Sequence, residues 1–211
     1  MRSIVTVTSA ATSRQLIEVS FARDMLGLSV TEISDAKLFE LIDGASAEVE
    51  QWCNRRLILE TVSEQWRPTR PQGSLWLNRF PVSSITSITE DDDDALTATY
   101  WELDYDTGEL WRLDGSDNRD TWDADKIVVV YSAGYVPADD TGTNIPFDLR
   151  DGTLELIKSR WFGLERDPYE RSVEVPGLAT IQYGFGSAAR TTSGMPPEAE
   201  RLLTSYRRIA I

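Results

Sequence analysis

The chain has 211 residues, 41% of them hydrophobic, and its 35 acidic and 21 basic residues give a net charge of −14. This composition is typical of a folded globular domain, or of a core with one large insertion. The sequence has no histidine and a single cysteine, Cys53. These counts exclude Ser-His-Asp and Cys-His catalysis, histidine-ligated metals and an internal disulfide. A pI near 4.4 disfavours tight binding to nucleic-acid phosphates.

Signals for export or membrane insertion are not apparent. The first ten residues contain one arginine and no long apolar run, unlike a signal peptide. No stretch approaches the roughly 20 apolar residues of a membrane helix. We therefore expect a soluble protein that is made in a cytoplasm and has no membrane partner.

Acidic side chains are concentrated in residues 90–125, which we name the acidic segment. It contains fourteen acids and two bases and has a net charge of −12, whereas the other 175 residues have a net charge of −2. Such a concentrated negative field repels polyanions and discourages nonspecific association. The acids are Glu90, Asp91, Asp92, Asp93, Asp94, Glu102, Asp104, Asp106, Glu109, Asp114, Asp117, Asp120, Asp123 and Asp125.

The chain begins with β-branched residues followed by small ones, which predicts an extended arm over residues 1–19. Ser20 is a suitable N-cap for a short helix over residues 21–26. Gly27 is a natural residue to end that helix, because glycine adopts the left-handed conformation without strain. We therefore expect a short helix after the arm.

A longer helix is predicted to begin after Thr31 or Ser34 and to end near Asn54. Its apolar residues recur every three or four positions, which is typical of a helix with one buried face. These residues are Leu38, Leu41, Ile42, Ala45, Val49, Trp52 and Cys53. This helix completes a first helical region over residues 20–56.

Residues 57–136 change to the two-residue alternation of strands, and we interpret them as an acidic β-module. Asp106-Thr107-Gly108 predicts a tight hairpin turn between the fourth and fifth strands. The candidate strands are Leu57–Trp66, Ser74–Asn78, Ile85–Thr89, Tyr100–Asp104, Glu109–Leu113 and Ile127–Ser132.

Helical periodicity returns after Asn144, where Pro146 is favourable in a first turn. The apolar side of this helix comprises Leu149, Leu154, Ile157, Trp161 and Phe162. Residues 171–194 are rich in Gly, Ser and Thr and predict a flexible loop or hairpin with a strand at Ala179–Tyr183. Pro196-Pro197 begins a final short helix.

Together these elements predict an α+β fold in which both chain ends form a small helical bundle around an inserted antiparallel β-domain. The predicted regions are the arm 1–19, the first helical part 20–56, the acidic β-module 57–136, the second helical part 137–170, the loop 171–194 and the C-terminal helix and tail 195–211.

The acidic side chains could in principle support carboxylate chemistry. The run Asp91–Asp94 lacks the alternating acids, central glycine and closing glutamate of a calcium loop, and a solvated turn fits it better. The acids Glu102, Asp104, Asp106 and Glu109 could supply the paired carboxyls of a glycoside hydrolase, although any acidic hairpin offers such pairs. The single Asp-Thr-Gly triplet lacks the second copy that an aspartic protease requires.

The sequence also lacks a complete motif for nucleophilic catalysis, phosphate binding or base stacking. Cys53 could be a nucleophile, but it has no histidine partner and lies on the apolar helix face, so we expect a buried structural cysteine. The glycines after residue 176 do not form a phosphate-binding motif. The seven tryptophans could stack on bases or sugars, but most lie in or near the acidic segment and favour core packing and subunit contact. We predict no catalytic, cofactor or metal site.

Several segments, in order, resemble the head–tail connector proteins of tailed bacteriophages. They are Ser20–Leu26, Leu38–Leu57, Leu77–Ile88 with its Pro-Val-Ser-Ser-Ile core, Val129-Val-Tyr-Ser-Ala-Gly-Tyr135, Ile145-Pro-Phe-Asp-Leu149 and the closing Pro196–Arg208 with Leu-Leu-Thr-Ser-Tyr-Arg-Arg. Each match alone is weak, whereas together they cover about 190 residues in the correct order. The sequence departs from the family in its short first helix and large acidic β-insertion.

The resemblance implies a virion neck protein that assembles in the host cytoplasm as a dodecameric ring, without enzymatic activity or a cofactor. Its implied partners are other copies of itself, the portal protein above it and a stopper or tail protein below it, with double-stranded DNA passing through the ring. By likeness, the helical regions form the ring and the portal side, and the β-module points towards the tail.

Two surfaces are candidates for these roles. The tail residues Tyr206, Arg207, Arg208, Ile209 and Ile211 combine basic and apolar groups that could insert into a portal groove, or could form a frayed terminus. The acids Asp91, Asp92, Asp93, Asp94, Glu102, Asp104, Asp106 and Glu109 could line a DNA channel or face the tail. We expect the arm and the 171–194 loop to become ordered on assembly. The alternatives are another ring component, such as a stopper or tail terminator, and an acidic-site hydrolase.

Overall fold

A computed structural model describes residues 2–164, 172–175, 179–182 and 194–208 of the chain. The chain divides into two compact units. Unit 1 comprises Met1–Thr12 and Arg56–Val136, and unit 2 comprises Ser13–Arg55 and Pro137–Ile211. Unit 1 is built of antiparallel sheets and unit 2 mainly of helices, so the predicted α+β class is confirmed. Within the described ranges, no helix has the length and apolar character needed to span a membrane.

The regular elements follow the chain in this order. The helices are α1 (Val19–Leu26), α2 (Asp35–Cys53), α3 (Phe147–Leu164) and α4 (Pro197–Leu203). The strands are β1 (Ile4–Ser9), β2 (Glu60–Trp66), β3 (Ser74–Trp76), β4 (Val82–Glu90), β5 (Trp101–Leu103), β6 (Glu109–Leu113), β7 (Arg119–Asp120), β8 (Ile127–Ala133), β9 (Ser172–Val175) and β10 (Ala179–Gln182).

Unit 1 contains a four-stranded sheet in the order β1-β2-β8-β4 and a smaller sheet in the order β3-β6-β5, with β7 paired to β6. In β2 and β8, alternate residues are buried, as a two-residue period requires. The core comprises Val62, Trp66, Leu75, Leu77, Val82, Ile88, Leu103, Leu110, Trp122, Ile127, Val129, Tyr131 and Ala133. Both sheets thus contribute to one hydrophobic core.

Within the predicted extended arm, residues Ile4–Ser9 form a strand that belongs to the sheet of unit 1. Strand β1 pairs antiparallel with β2, with Val5 opposite Glu64 and Val7 opposite Val62. Val5 packs against the core, whereas Ile4 is 69% exposed. The strand is therefore held mainly by backbone hydrogen bonds, which an inspection of side-chain patterns does not reveal.

Helix α2 of unit 2 follows the sequence prediction closely. Ser34 is its N-cap, and its side chain accepts a hydrogen bond from the Lys37 amide. Asn54 ends it in the left-handed conformation. Five residues of the predicted apolar face are completely buried: Leu38, Ile42, Ala45, Val49 and Cys53.

Two details of the other helices correct the sequence interpretation. Helix α1 begins at Val19 with Glu18 as its N-cap, so Ser20 lies inside the first turn and is not the cap. In α3, Leu149, Leu154 and Ile157 are buried as expected. Phe162 is 63% exposed, because the apolar face of α3 does not extend to its last turn.

The predicted loop or hairpin at 171–194 contains a short two-stranded pairing. Ser172–Val175 pairs antiparallel with Ala179–Gln182, at the position of the predicted strand. Residues 171, 176–178 and 183–193, which include Tyr183 at the end of the predicted strand, lie outside the described residues. The final helix begins at Pro197, as its two prolines suggest.

Candidate functional surfaces

The acidic run Asp91–Asp94 forms the exposed turn that follows β4. The Asp91 amide donates to the Lys126 carbonyl at 2.8 Å, and the Lys126 amide donates back to the Asp91 carboxylate at 2.8 Å. The Lys126 ammonium also forms an ion pair with Asp92. Among the described residues, no group of three or more acids or cysteines could hold a metal ion. The turn is therefore a solvated connection that Lys126 anchors.

The hairpin between β5 and β6 forms where Asp106-Thr107-Gly108 predicted it. Gly108 has a φ of 74°, and its amide donates to the Asp104 carbonyl at 2.8 Å. Hydrogen bonds from the Thr107 side chain and the Asp106 amide lower the pKa of Asp104. Asp104 therefore stabilises the turn, and it stays ionised to a lower pH than an ordinary aspartate.

The outer face of the small sheet displays two tryptophans and two glutamates. Trp111 on β6 lies opposite Glu102 on β5, and Trp76 on β3 lies opposite Glu109 on β6. Arg119 stacks 4.2 Å from the centre of the Trp111 ring and pairs with Glu102 at 2.8 Å. Two predicted surface acids, Glu102 and Glu109, thus share one sheet face, although Asp91–Asp94 belong to a separate turn.

Arg112 joins the acidic segment to the interior of unit 1. Its guanidinium makes two hydrogen bonds to Glu90, at 3.1 and 3.0 Å, and a third to the Tyr100 carbonyl at 3.1 Å. It also lies 5.9 Å from the centre of the buried Trp122 ring. Both bases of the acidic segment are thus ion-paired within unit 1, Arg112 with Glu90 and Arg119 with Glu102.

Glu64 is a completely buried carboxylate that the sequence interpretation missed. It accepts hydrogen bonds from the Tyr131 hydroxyl at 2.6 Å, from the amide and side chain of Asn78, and from the Ser3 hydroxyl. Burial, together with the adjacent Glu64, raises the pKa of Tyr131. The alternation of β2 gives a signal for this site, since Glu64 shares a face with the buried Val62 and Trp66.

The C-terminal residues proposed to bind a portal make contacts within unit 2. The Tyr206 hydroxyl donates to Asp148, and the Arg207 guanidinium lies 5.1 Å from the centre of the Trp52 ring. The Arg208 amide donates to the Cys53 carbonyl at 2.8 Å. Ile209 and Ile211, the apolar part of the predicted tail, lie outside the described residues.

Cys53 is fully buried, as expected for a structural cysteine. Burial raises the pKa of its thiol to about 11, from an ordinary value of 9.0. We therefore expect alkylation of the folded protein at pH 8 to be at least ~100-fold slower than alkylation of the unfolded chain, because thiolate is the reactive form. Mass spectrometry after iodoacetamide treatment, with and without urea, measures this ratio.

The raised pKa of the Cys53 thiol also determines how this group changes the stability of the folded protein with pH. The unfolded thiol ionises near its ordinary pKa, whereas the folded thiol keeps its proton. This contribution to stability is therefore complete below the unfolded pKa and decreases as the pH rises towards 11. Equal alkylation rates in buffer and in urea would contradict the burial of this thiol, and Cys53→Ala provides the unlabelled control.

Comparison with known proteins identifies the family and the fold. The family model described as head completion protein matches residues 15–209. The fold is similar to chains in the neck of an empty GTA particle computed with C6 symmetry (TM-score 0.59, 18% identity) and in the neck of a native GTA particle computed with C12 symmetry (0.58, 16%). A third similar chain comes from the virion of a native gene transfer agent particle (0.57, 17%).

Each of these alignments covers 99% of this chain and 97% of the other. At such low identities they show a shared fold over essentially the full length. No curated protein matches the sequence significantly. The connector-like motifs are supported by the family match, which spans all of them. The chain belongs to the head completion protein family.

Proposed function

We propose that this protein is a structural component of the neck of a tailed-phage-like particle, where it connects the head to the tail. The family match over residues 15–209 carries the proposal. The fold shared with chains of gene transfer agent necks supports it, because the similarity extends over both units rather than over one common module.

The protein acts as a ring, and twelve copies are the expected number. One similar chain comes from a neck computed with C12 symmetry and another from a neck computed with C6 symmetry. A closed cyclic ring places the same surface of every copy on its channel. Each ring would repeat the charge of the acidic segment twelve times.

The acidic segment favours passage of DNA without retention. The two bases inside it and the lysine that follows it are each paired with an acid: Arg112 with Glu90, Arg119 with Glu102 and Lys126 with Asp92. The exposed run Asp91–Asp94 is left to dominate the local field, which repels phosphates. This segment lines the channel or faces the tail-side stopper or tail protein.

The C-terminal tail docks the ring to the portal. Tyr206, Arg207 and Arg208 are fixed to unit 2 through Asp148, Trp52 and the Cys53 carbonyl. The residues that follow therefore start from a defined position. In this proposal, Ile209 and Ile211 enter an apolar groove of the portal, and the neighbouring arginines pair with acids at its rim.

Electron microscopy of the purified protein, alone and mixed with its cognate portal, tests the proposal. We expect rings, or an added collar on the narrow end of the portal. The double change Ile209→Ser and Ile211→Ser should weaken portal binding at least ~10-fold if these side chains are apolar anchors. Ala210→Ser is the matched control, since it changes the same tail without removing an anchor. A monomer that forms no ring and never binds the portal would contradict the neck assignment.

A further inference from the structure

Two tryptophan–glutamate pairs occur side by side on the outer face of the β3-β6-β5 sheet. Glu109 and Trp111 are two positions apart on β6, so they point to the same side, opposite the buried Leu110. Across the neighbouring strands, Glu109 lies opposite Trp76 on β3, and Trp111 lies opposite Glu102 on β5. Directly opposed residues have side chains close enough to contact a common ligand.

The pair formed by Trp111 and Glu102 already holds an arginine. The Arg119 guanidinium lies 4.2 Å from the centre of the Trp111 ring, and its Nη2 is 2.8 Å from Glu102 Oε2. The ring offers its electron-rich face to the cation while the carboxylate accepts a charge-assisted hydrogen bond. The chain thus demonstrates how such a pair binds a guanidinium.

The pair formed by Trp76 and Glu109 has the same composition, with the tryptophan on the edge strand and the glutamate on β6, but holds no cation among the described residues. The Trp76 side chain is 56% exposed, which is unusual for a tryptophan. Within the part of the chain that the structure describes, Glu109 forms hydrogen bonds through its backbone amide, to the Thr107 hydroxyl, and its backbone carbonyl, and its carboxylate is unpaired there. Trp76 and Glu109 thus offer the same two groups as the occupied pair, an aromatic ring and a carboxylate, without the arginine.

The surroundings of this second pair favour a cation. Asp104 lies beside Glu109 across the hairpin, and its amide donates to the Glu109 carbonyl at 2.9 Å. Asp106 adds another exposed acid at the same hairpin. The negative field of these groups attracts positive partners and repels nucleic acid.

We propose that Trp76 and Glu109 form a binding site for an arginine side chain presented by a partner protein. The planar guanidinium can stack on the indole and pair with the carboxylate at once, as Arg119 does on the neighbouring pair. A lysine ammonium lacks the planar, forked geometry and binds less well. The site depends on one sheet face only, so it can fail its test while the neck role stands, and the reverse also holds.

Nuclear magnetic resonance of the full-length chain tests the site. The probes are the blocked peptide acetyl-Gly-Arg-Gly-amide and its lysine counterpart. The indole N–H resonance of Trp76 is identified by its loss in Trp76→Phe. We expect the arginine peptide to shift this resonance saturably, with a dissociation constant on the order of millimolar, and to bind about threefold more tightly than the lysine peptide.

Two variants of the same sheet face make the result specific. Glu109→Gln should weaken arginine binding about threefold or more, because the ion pair is lost while the backbone hydrogen bonds of β6 remain. Ser74→Ala, on the same strand as Trp76 but opposite Trp111, should leave it unchanged. The other indole resonances report that the fold of each variant is preserved.

Three results would overturn the proposal. They are the absence of any shift at Trp76, an equal response to the arginine and lysine peptides, and a response unaltered by Glu109→Gln. A Trp76 shift that depends only on the concentration of the protein itself would instead identify a second copy as the occupant and would also overturn it.

Discussion

Replacing Glu64 with alanine is expected to destabilise unit 1 by about 3–5 kcal/mol, since it removes the buried acceptor of four hydrogen bonds and leaves their donors unpaired. The melting temperature of this unit should fall by more than about 12 °C, since a domain of under about 100 residues loses about 4–8 °C per kcal/mol. Five of the seven tryptophans lie in unit 1, so urea unfolding followed by tryptophan fluorescence reports mainly on it.

The control for this change removes one donor and keeps the acceptor. Tyr131→Phe loses the 2.6 Å hydrogen bond to Glu64 and the 3.2 Å hydrogen bond that the Arg79 amide donates to the same hydroxyl, and should cost about 1–2 kcal/mol. The difference between the two variants separates the loss of the Tyr131 hydroxyl from the loss of the whole cluster. A Glu64→Ala variant within 1 kcal/mol of the wild type would show that water or rearrangement replaces the carboxylate.

Gly134→Ala is expected to be the most damaging exchange of a single hydrogen for a methyl group in unit 1. Gly134 has a φ of 113°, and an added Cβ would lie 2.5 Å from the Ile58 carbonyl carbon and oxygen. Backbone cannot rotate away as a side chain can, so strain and clash together should cost about 3 kcal/mol or more. The clash would weaken the hydrogen bond between the Tyr135 amide and the Leu57 carbonyl.

Gly108→Ala is the matched control, and unfolding in urea measures both variants. Gly108 also has a positive φ, 74°, but an added Cβ would make ordinary contacts of 3.4 Å or more. Its cost should be about 1 kcal/mol, from backbone strain alone. If the two variants were equally destabilised, steric contact with Ile58 would not be the cause.

The elements that could be predicted from the sequence are those whose signal is local. The N-cap Ser34 and the apolar face of α2 lie within one periodic stretch, and burial follows that period. The hairpin at Asp106–Gly108 is likewise encoded by three adjacent residues. In these cases, propensity, capping and burial all favour the same conformation.

The features that were missed depend on residues far apart in sequence. Strand β1 pairs with β2 more than 50 residues later, and the pairing rests on backbone groups that any sequence possesses. Glu64 is buried because Ser3, Asn78 and Tyr131 supply donors from three other segments. Burial of a carboxylate becomes favourable only when such donors converge. The alternation of β2 therefore indicates the buried face of Glu64 but not the donors that make its burial possible.

The candidate surfaces, too, could be predicted from the sequence only in part. The concentration of charge in the acidic segment is a property of composition, so it could be predicted from the sequence alone. The arrangement of Trp76 beside Glu109 depends on the strand register, because a shift of one residue would place them on opposite faces. That arrangement could therefore not be obtained from the sequence, although the alternation of β6 places Glu109 and Trp111 together.

The strand order β1-β2-β8-β4 also determines when this sheet can form during synthesis on the ribosome. Strand β8 lies between β2 and β4 and is the last of the four to be made. Strands β2 and β4 consequently lack their shared neighbour until Ala133 has left the exit tunnel. Chain elongation, rather than the docking of finished elements, should then limit how early this sheet can close. The nascent chain is most vulnerable to aggregation during that interval.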